Sequence, residues 1–217
     1  MKTLSIMKLK DPMSGLTHFI GALLAAAGLI LLLDQALHPL QPWYLFTYLV
    51  FGLGLIGMYT ASTLYHWLIL SPTGTERLRR IDHIMIFILI AATYTPICLI
   101  PLRGPWGWSI FGTIWGLAVI GIIFKLFWID SPRWITAAMY VAMGWVAIVA
   151  IYPMIKGLQT GALIWIVAGG LIYTLGALIY ATKRPDPFPG LFGFHEVFHI
   201  MVILGSLAHF WAIYCYI

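Results

Sequence analysis

Apolar residues in this chain come in long unbroken runs separated by short polar breaks. They follow neither the one-sided helical stripe nor the alternation of half-buried strands. An α-helix needs about 20 apolar residues to cross the hydrocarbon core of a bilayer. Seven runs meet that length, over residues 16–37, 43–70, 84–102, 106–128, 134–155, 162–181 and 191–217. The breaks between them carry turn chemistry, as in His38-Pro39, Ser71-Pro72, Gly104-Pro105, Ser131-Pro132 and the proline-rich stretch 183–190. None is long enough to house a soluble domain. The expected fold is all-α: a single seven-transmembrane-helix domain over residues 1–217. A β-barrel would show alternating positions instead.

Composition sharpens this. Of 217 residues, 62% are hydrophobic and only 9% are charged, against about 25% charged in soluble domains. Such a chain cannot cover a water-exposed surface, which excludes a soluble enzyme, a nucleic-acid-binding domain and a disulfide scaffold. The net charge of +5 marks loops rather than a nucleic-acid surface. Residues 1–10 lack the apolar core of a cleavable signal, so insertion through the chain's own spans is expected. Cys98 and Cys215 read as small buried hydrophobes, although both fall near the same membrane face, where a disulfide is open to them.

Loop charge sets the expected orientation. Lys2, Lys8, Lys10, Arg77, Arg79, Arg80, Lys125, Arg133, Lys183 and Arg184 fall on one side, and only Arg103 and Lys156 on the other. The positive-inside rule then puts the N-terminus in the cytoplasm and the C-terminus outside. Trp43, Tyr44, Trp106, Trp108, Trp128, Trp134 and Trp211 sit near span ends as an aromatic belt.

Ionisable groups inside a bilayer are costly and point to function. Here they are His18, Asp34, His66, Asp82, His83, His195, Glu196, His199 and His209. On the expected topology His18, His66, Asp82, His195 and His199 converge at one depth near the cytoplasmic boundary, Asp82 opening the third helix. Only Asp34 and His209 lie toward the outside. His195 and His199 are spaced i, i+4, which lets two imidazoles share one metal. His66 supplies a third, and three histidines with an open position make a catalytic-type zinc site, which lowers the pKa of bound water to about 7. Asp82 is placed as proton acceptor or fourth ligand. Ser62, one turn from His66 on the same face, is placed to polarise a carbonyl or brace the site. His195 to His199 also reads HExxH, which makes Glu196 a competing general base, although a carboxylate there also suits a helix N-terminus. His83 and His209 are expected to make interhelical hydrogen bonds, and Asp34 to be interfacial.

Several of these segments resemble the bacterial hemolysin III family, within the wider progestin and adiponectin receptor superfamily. They are Thr17-His18-Phe19-Ile20-Gly21, Ser62 to His66, Asp82-His83 with Ile90 to Pro96, Met143-Gly144-Trp145, and His195 to His199. The resemblance implies seven helices, a cytoplasmic N-terminus, and a zinc ion on His66, His195 and His199, with Asp82 and Ser62 in support. Related receptors are linked to ceramide hydrolysis. Two positions depart from the family pattern: Asp11 and Ser14 stand where Glu and Asn are usual, and many members lack Glu196.

Three functions follow as expectations. The first is a zinc-dependent hydrolase of a lipid amide, with a membrane lipid resembling ceramide as its partner. The second is a sensor or regulator of lipid or energy homeostasis with a structural metal. The third is a pore-forming cytolysin, which the lack of a charged stripe through the bilayer disfavours.

Overall fold

The computed structural model describes residues 9–217; Lys2 and Lys8 of the charge argument lie outside the described residues. The described chain is helical, with seven helices long and apolar enough to cross a membrane. They are α1 (Pro12–Leu37), α2 (Pro42–Trp67), α3 (Pro72–Leu99), α4 (Pro105–Phe127), α5 (Arg133–Gly157), α6 (Thr160–Thr182) and α7 (Phe194–Tyr216).

The breaks work as their residues predict. Helices α1 to α4 each begin on a proline, where the missing N–H has no helical partner to lose. Ser71 caps α3 by accepting from the Gly74 amide at 3.3 Å. Lys183 ends α6 in the left-handed region at φ 58°, the conformation usual just past a helix end.

Two elements differ from the expectation. The third run was read from residue 84, but α3 starts at Pro72. Its first turns are polar yet helical, held by Arg80–Glu76 at 2.6 Å and by Arg79–Asp130 at 2.5 Å. Asp82 therefore lies nearly three turns inside α3 and does not open it. The fifth helix is also not continuous. It runs as α-helix to Gly144, tightens to a 3-10 segment over Trp145–Ala150, and resumes at Ile151. Tyr94 of α3 takes up groups at this break, its hydroxyl donating to Gly144 O at 2.5 Å and accepting from Ala147 N at 2.9 Å. A non-helical segment at membrane depth persists only when such partners exist.

Successive helices pack as neighbours, and α7 returns against α1 to close the bundle. Close approach is set by glycines facing rings. A Cβ on Gly21 would overlap Tyr59, and one on Gly121 would overlap Phe87. One core joins α1, α2, α3 and α7 around Leu32, Phe51, Met58 and Ile213; another centres on Phe87, Leu99, Ile114 and Ala118. Large apolar side chains such as Leu23, Ile30, Phe127 and Leu171 point outward, as lipid-facing residues do.

Smaller expectations sort as follows. Trp106, Trp108, Trp128 and Trp134 are exposed near helix ends, matching the belt. Asp34 is exposed and paired with His38 at 3.3 Å, as an interfacial residue should be. Both cysteines are free; Cys98 is buried, but Cys215 is exposed rather than buried.

Candidate metal centre

Two helix ends bring the predicted histidines together. His66 lies in the last turn of α2, and His195 and His199 lie in the first two turns of α7. One nitrogen from each lies within 4.8 Å of the others. Nε2 of His66 and Nε2 of His195 are 3.2 Å apart. Two nitrogens bound tetrahedrally to zinc at 2.0–2.1 Å would be about 3.3 Å apart. The pair is therefore already at metal-sharing distance.

The other face of each ring explains why Nε2 is free. His66 Nδ1 sits 3.1 Å from the Asp11 carboxylate, which can only accept, so Nδ1 carries the proton and Nε2 keeps its lone pair. His199 Nδ1 lies 3.1 Å from Ser14 O and 3.0 Å from Thr17 Oγ1. Thr17 already donates its own proton to Ser14 O at 2.7 Å. Both neighbours must then accept from Nδ1, and His199 is likewise held as the tautomer whose Nε2 can ligate. These orienting groups come from the start of α1. Sequence reasoning noted Asp11 and Ser14 only as departures from a family pattern. The signal available was their place just ahead of a span whose first turn meets α7, a pairing that no local pattern reveals.

Beside the histidines lies a cavity of about 30 Å³ bordered by Ser62, Asp82, His83, His195 and His199. That is room for a water or two. Ser62 is 1% exposed, and its Oγ makes no well-formed hydrogen bond among the described residues, with the Asp82 carboxyl as its polar neighbour. Buried hydroxyls are rarely left so, and this one borders the space that a metal's open position would use. Asp82 borders the same space and is half-buried. The donor set, the fixed tautomers, the nitrogen spacing and the orphaned hydroxyl all fit a three-histidine metal with one open side. Zinc suits such a set.

Four placements refine the expectation. His18 stacks on His199, ring centroids 3.6 Å apart at 8°, with both its nitrogens buried and unpartnered among the described residues. Of the two readings of Glu196, the structure shows the helix N-terminal one: its carboxylate accepts from Gly193 N at 2.8 Å and is bonded to Ser14 Oγ. It caps α7 and is not among the residues that border the cavity. His83 makes no imidazole hydrogen bond through Nδ1; the interhelical bond there runs from Tyr140 OH to the His83 carbonyl at 3.0 Å. His209 bonds its own helix at Gly205 O, 2.8 Å away, and reaches α6 by stacking on Tyr173, instead of by the interhelical hydrogen bond expected.

Comparison with known proteins agrees with this architecture. The profile of the Haemolysin-III related family matches residues 7–210. The chain is 36% identical over 204 residues to "Hemolysin-3" of Bacillus cereus, covering 94% of this chain and 90% of that protein. It is 33% identical over 203 residues to "Hemolysin-3 homolog" of Bacillus subtilis (strain 168), covering 94% and 92%. It is 29% identical over 105 residues to "Adiponectin receptor protein" of Drosophila melanogaster, covering 43% and 24%. Seven apolar helices and these bacterial relatives make it a multi-pass membrane protein of bacterial type. The chain belongs to the Haemolysin-III related family, within the wider progestin and adiponectin receptor superfamily.

Proposed function

We propose that this protein is a zinc-dependent hydrolase of a membrane lipid amide, working at the end of the bundle where Lys and Arg concentrate, which the positive-inside rule assigns to the cytoplasm. The observation that supports it most is the convergence of His66, His195 and His199 beside a small cavity faced by Ser62 and Asp82. A zinc ion held by the three imidazoles would supply Lewis acidity toward a carbonyl oxygen and toward water. The rest is done by the chain. Asp11, Ser14 and Thr17 hold two of the ligands in the ligating tautomer. Asp82 takes the proton of the attacking water and returns it to the leaving amine. Ser62, beside Asp82 and without a well-formed hydrogen bond among the described residues, donates to the carbonyl oxygen as charge builds there. Phe198, Met58 and Ile86 line the cavity and restrict bulk water.

The hemolysin names of the Bacillus relatives suggest membrane lysis instead. A pore needs a polar path through the bilayer. Among the described residues the ionisable groups of the helices, Asp34, Lys156 and His209 apart, cluster at one end, which speaks against a pore.

The test uses purified protein in lipid nanodiscs. Metal content is measured by mass spectrometry, and turnover with labelled N-acyl sphingosines and other lipid amides. The expected result is one zinc per chain, lost in His199→Ala, with Asp82→Asn keeping zinc but losing turnover. Bound zinc without turnover on any lipid amide overturns the hydrolase in favour of a sensor with a structural metal. No bound metal overturns the site. A reporter fused after Ile217 is expected to be active only outside the cytoplasm.

A further inference from the structure

Two cavities of about 90 Å³ each lie deeper in the bundle, and His209 borders both. They also share Thr93, Tyr94, Gly144, Trp145 and Gly170, beside the break in α5. The first cavity adjoins the candidate metal centre, with Ile86, Tyr140, Phe198 and Val202 as the common wall.

Nearly all polar groups facing these spaces are already committed. Thr93 donates to Leu89 O, Tyr94 to Gly144 O, and Tyr140 to His83 O. Trp145 Nε1 donates to Thr174, which donates to Gly170 O. Tyr173 is paired with Ser206. His209 differs. It is 7% exposed, and its Nδ1 proton goes to Gly205 O at 2.8 Å. A neutral imidazole so bonded has an acceptor lone pair on Nε2. That atom has no partner among the described residues. Unlike both nitrogens of His18, it is not sealed within packed atoms. The ring is also held in place: it stacks on Tyr173 at 5.3 Å and 15°. Its Nδ1–Cε1 edge occupies the space a Cβ at Gly169 would need. A rigid acceptor in an apolar cavity selects a molecule that is apolar except for one hydrogen-bond donor.

Depth adds a second constraint. His209 is ten residues beyond His199 on α7, about 15 Å along the helix axis. A lipid chain whose head lies at the metal centre would pass His209 near its own middle. We propose that these cavities take an acyl chain carrying a mid-chain hydroxyl, whose proton is accepted by His209 Nε2. His209 would thus be a specificity-determining residue for hydroxylated acyl chains. The meaning of that chain as part of a substrate rests on the hydrolase reading; its binding does not.

The experiment measures displacement of a fluorescent fatty acid from the full-length protein in detergent micelles. The competitors are octadecanoic acid, its mid-chain hydroxy derivative and its mid-chain keto derivative. The hydroxy acid is expected to bind roughly fivefold more tightly than the other two, the scale of one net hydrogen bond. The keto acid gains nothing, because it brings an acceptor to an acceptor. His209→Phe keeps a ring on Tyr173 and is expected to erase the preference while leaving octadecanoic acid unchanged. Should that variant fail to fold, hydroxyl position decides with the unaltered protein. The preference must peak at mid-chain and vanish beside the carboxyl or methyl end. Equal binding of all three acids, no saturable binding, or a preference that survives in His209→Phe overturns the proposal. Selective binding with no turnover of hydroxyacyl amides upholds this site and sinks the hydrolase; turnover without selectivity does the reverse.

Discussion

Removing the Asp11 carboxylate tests whether the start of α1 serves the metal centre. Asp11 accepts from His66 Nδ1 at 3.1 Å, fixing the proton on the far side of the ring from the ligating nitrogen. Loss of such a carboxylate–histidine contact typically weakens metal binding 10- to 100-fold. Two features here favour the lower end. The Asp11 side chain is 44% exposed, and Lys10 Nζ lies 3.5 Å from the same oxygen, so part of its charge is already neutralised and solvated. Asp11→Ala is therefore expected to raise the zinc dissociation constant about tenfold, equivalent to about 1.4 kcal/mol. Asp11→Asn keeps an acceptor oxygen without the charge and should fall between Ala and the unaltered protein. Thr17→Val should cost less than Asp11→Ala, since His199 Nδ1 retains Ser14 O. The assay is competition between protein and a fluorescent zinc chelator at fixed pH and ionic strength. Asp34→Asn is the control, exposed and paired only with His38. Equal zinc affinity of Asp11→Ala and the unaltered protein would refute the tautomer argument.

Four further outcomes are expected. Ser62→Ala removes at most a weak contact with Asp82, so the melting temperature should change little while turnover falls about 100-fold, the scale of losing one donor to a developing oxyanion; a drop in stability with turnover intact would reverse this assignment. Gly121→Ala drives a methyl into the buried Phe87 ring and should cost about 1–3 kcal/mol. Gly112→Ala and Gly116→Ala meet open space in α4 and should hold or slightly raise the thermal melt, since Ala favours a helix interior over Gly. Lys125 is fully buried and donates to Ser131 and Thr136 at 2.7 Å each. Those hydroxyls lie 3.1 Å apart and can bond each other. Lys125→Met should therefore be neutral or stabilising by thermal melt, whereas a large loss would mean the ammonium holds α4 to the following loop.

Hydropathy made the seven spans legible because lipid is a solvent that demands long apolar runs. It misplaced the start of α3 for the same reason. Pro72 to Asp82 is helical without being hydrocarbon-facing, and hydropathy reports surroundings rather than backbone. The break at Trp145–Ala150 was invisible because its cause, the Tyr94 hydroxyl, sits on another helix. His66, His195 and His199 could be found since alternation of the spans brings them to one depth and i, i+4 spacing puts two on one face. The depth argument also reached His18, but not its stacking on His199; the roles of Asp11 and Thr17 were hidden, because only the packing of the start of α1 on α2 and α7 gives them one. Glu196 carried two readings in the sequence, catalytic base and helix N-terminus, and only the local one was decidable, since a cap is a contact with the residue three before it.

The orienting groups for the metal ligands sit at the start of α1, and two of the ligands sit on α7. The centre is thus a clasp that joins helices six spans apart in the chain. No nascent fragment short of α7 can assemble it, and metal uptake becomes a late event that reports completion of the bundle. A protein stalled or cut before that point would carry His66 alone and stay unloaded.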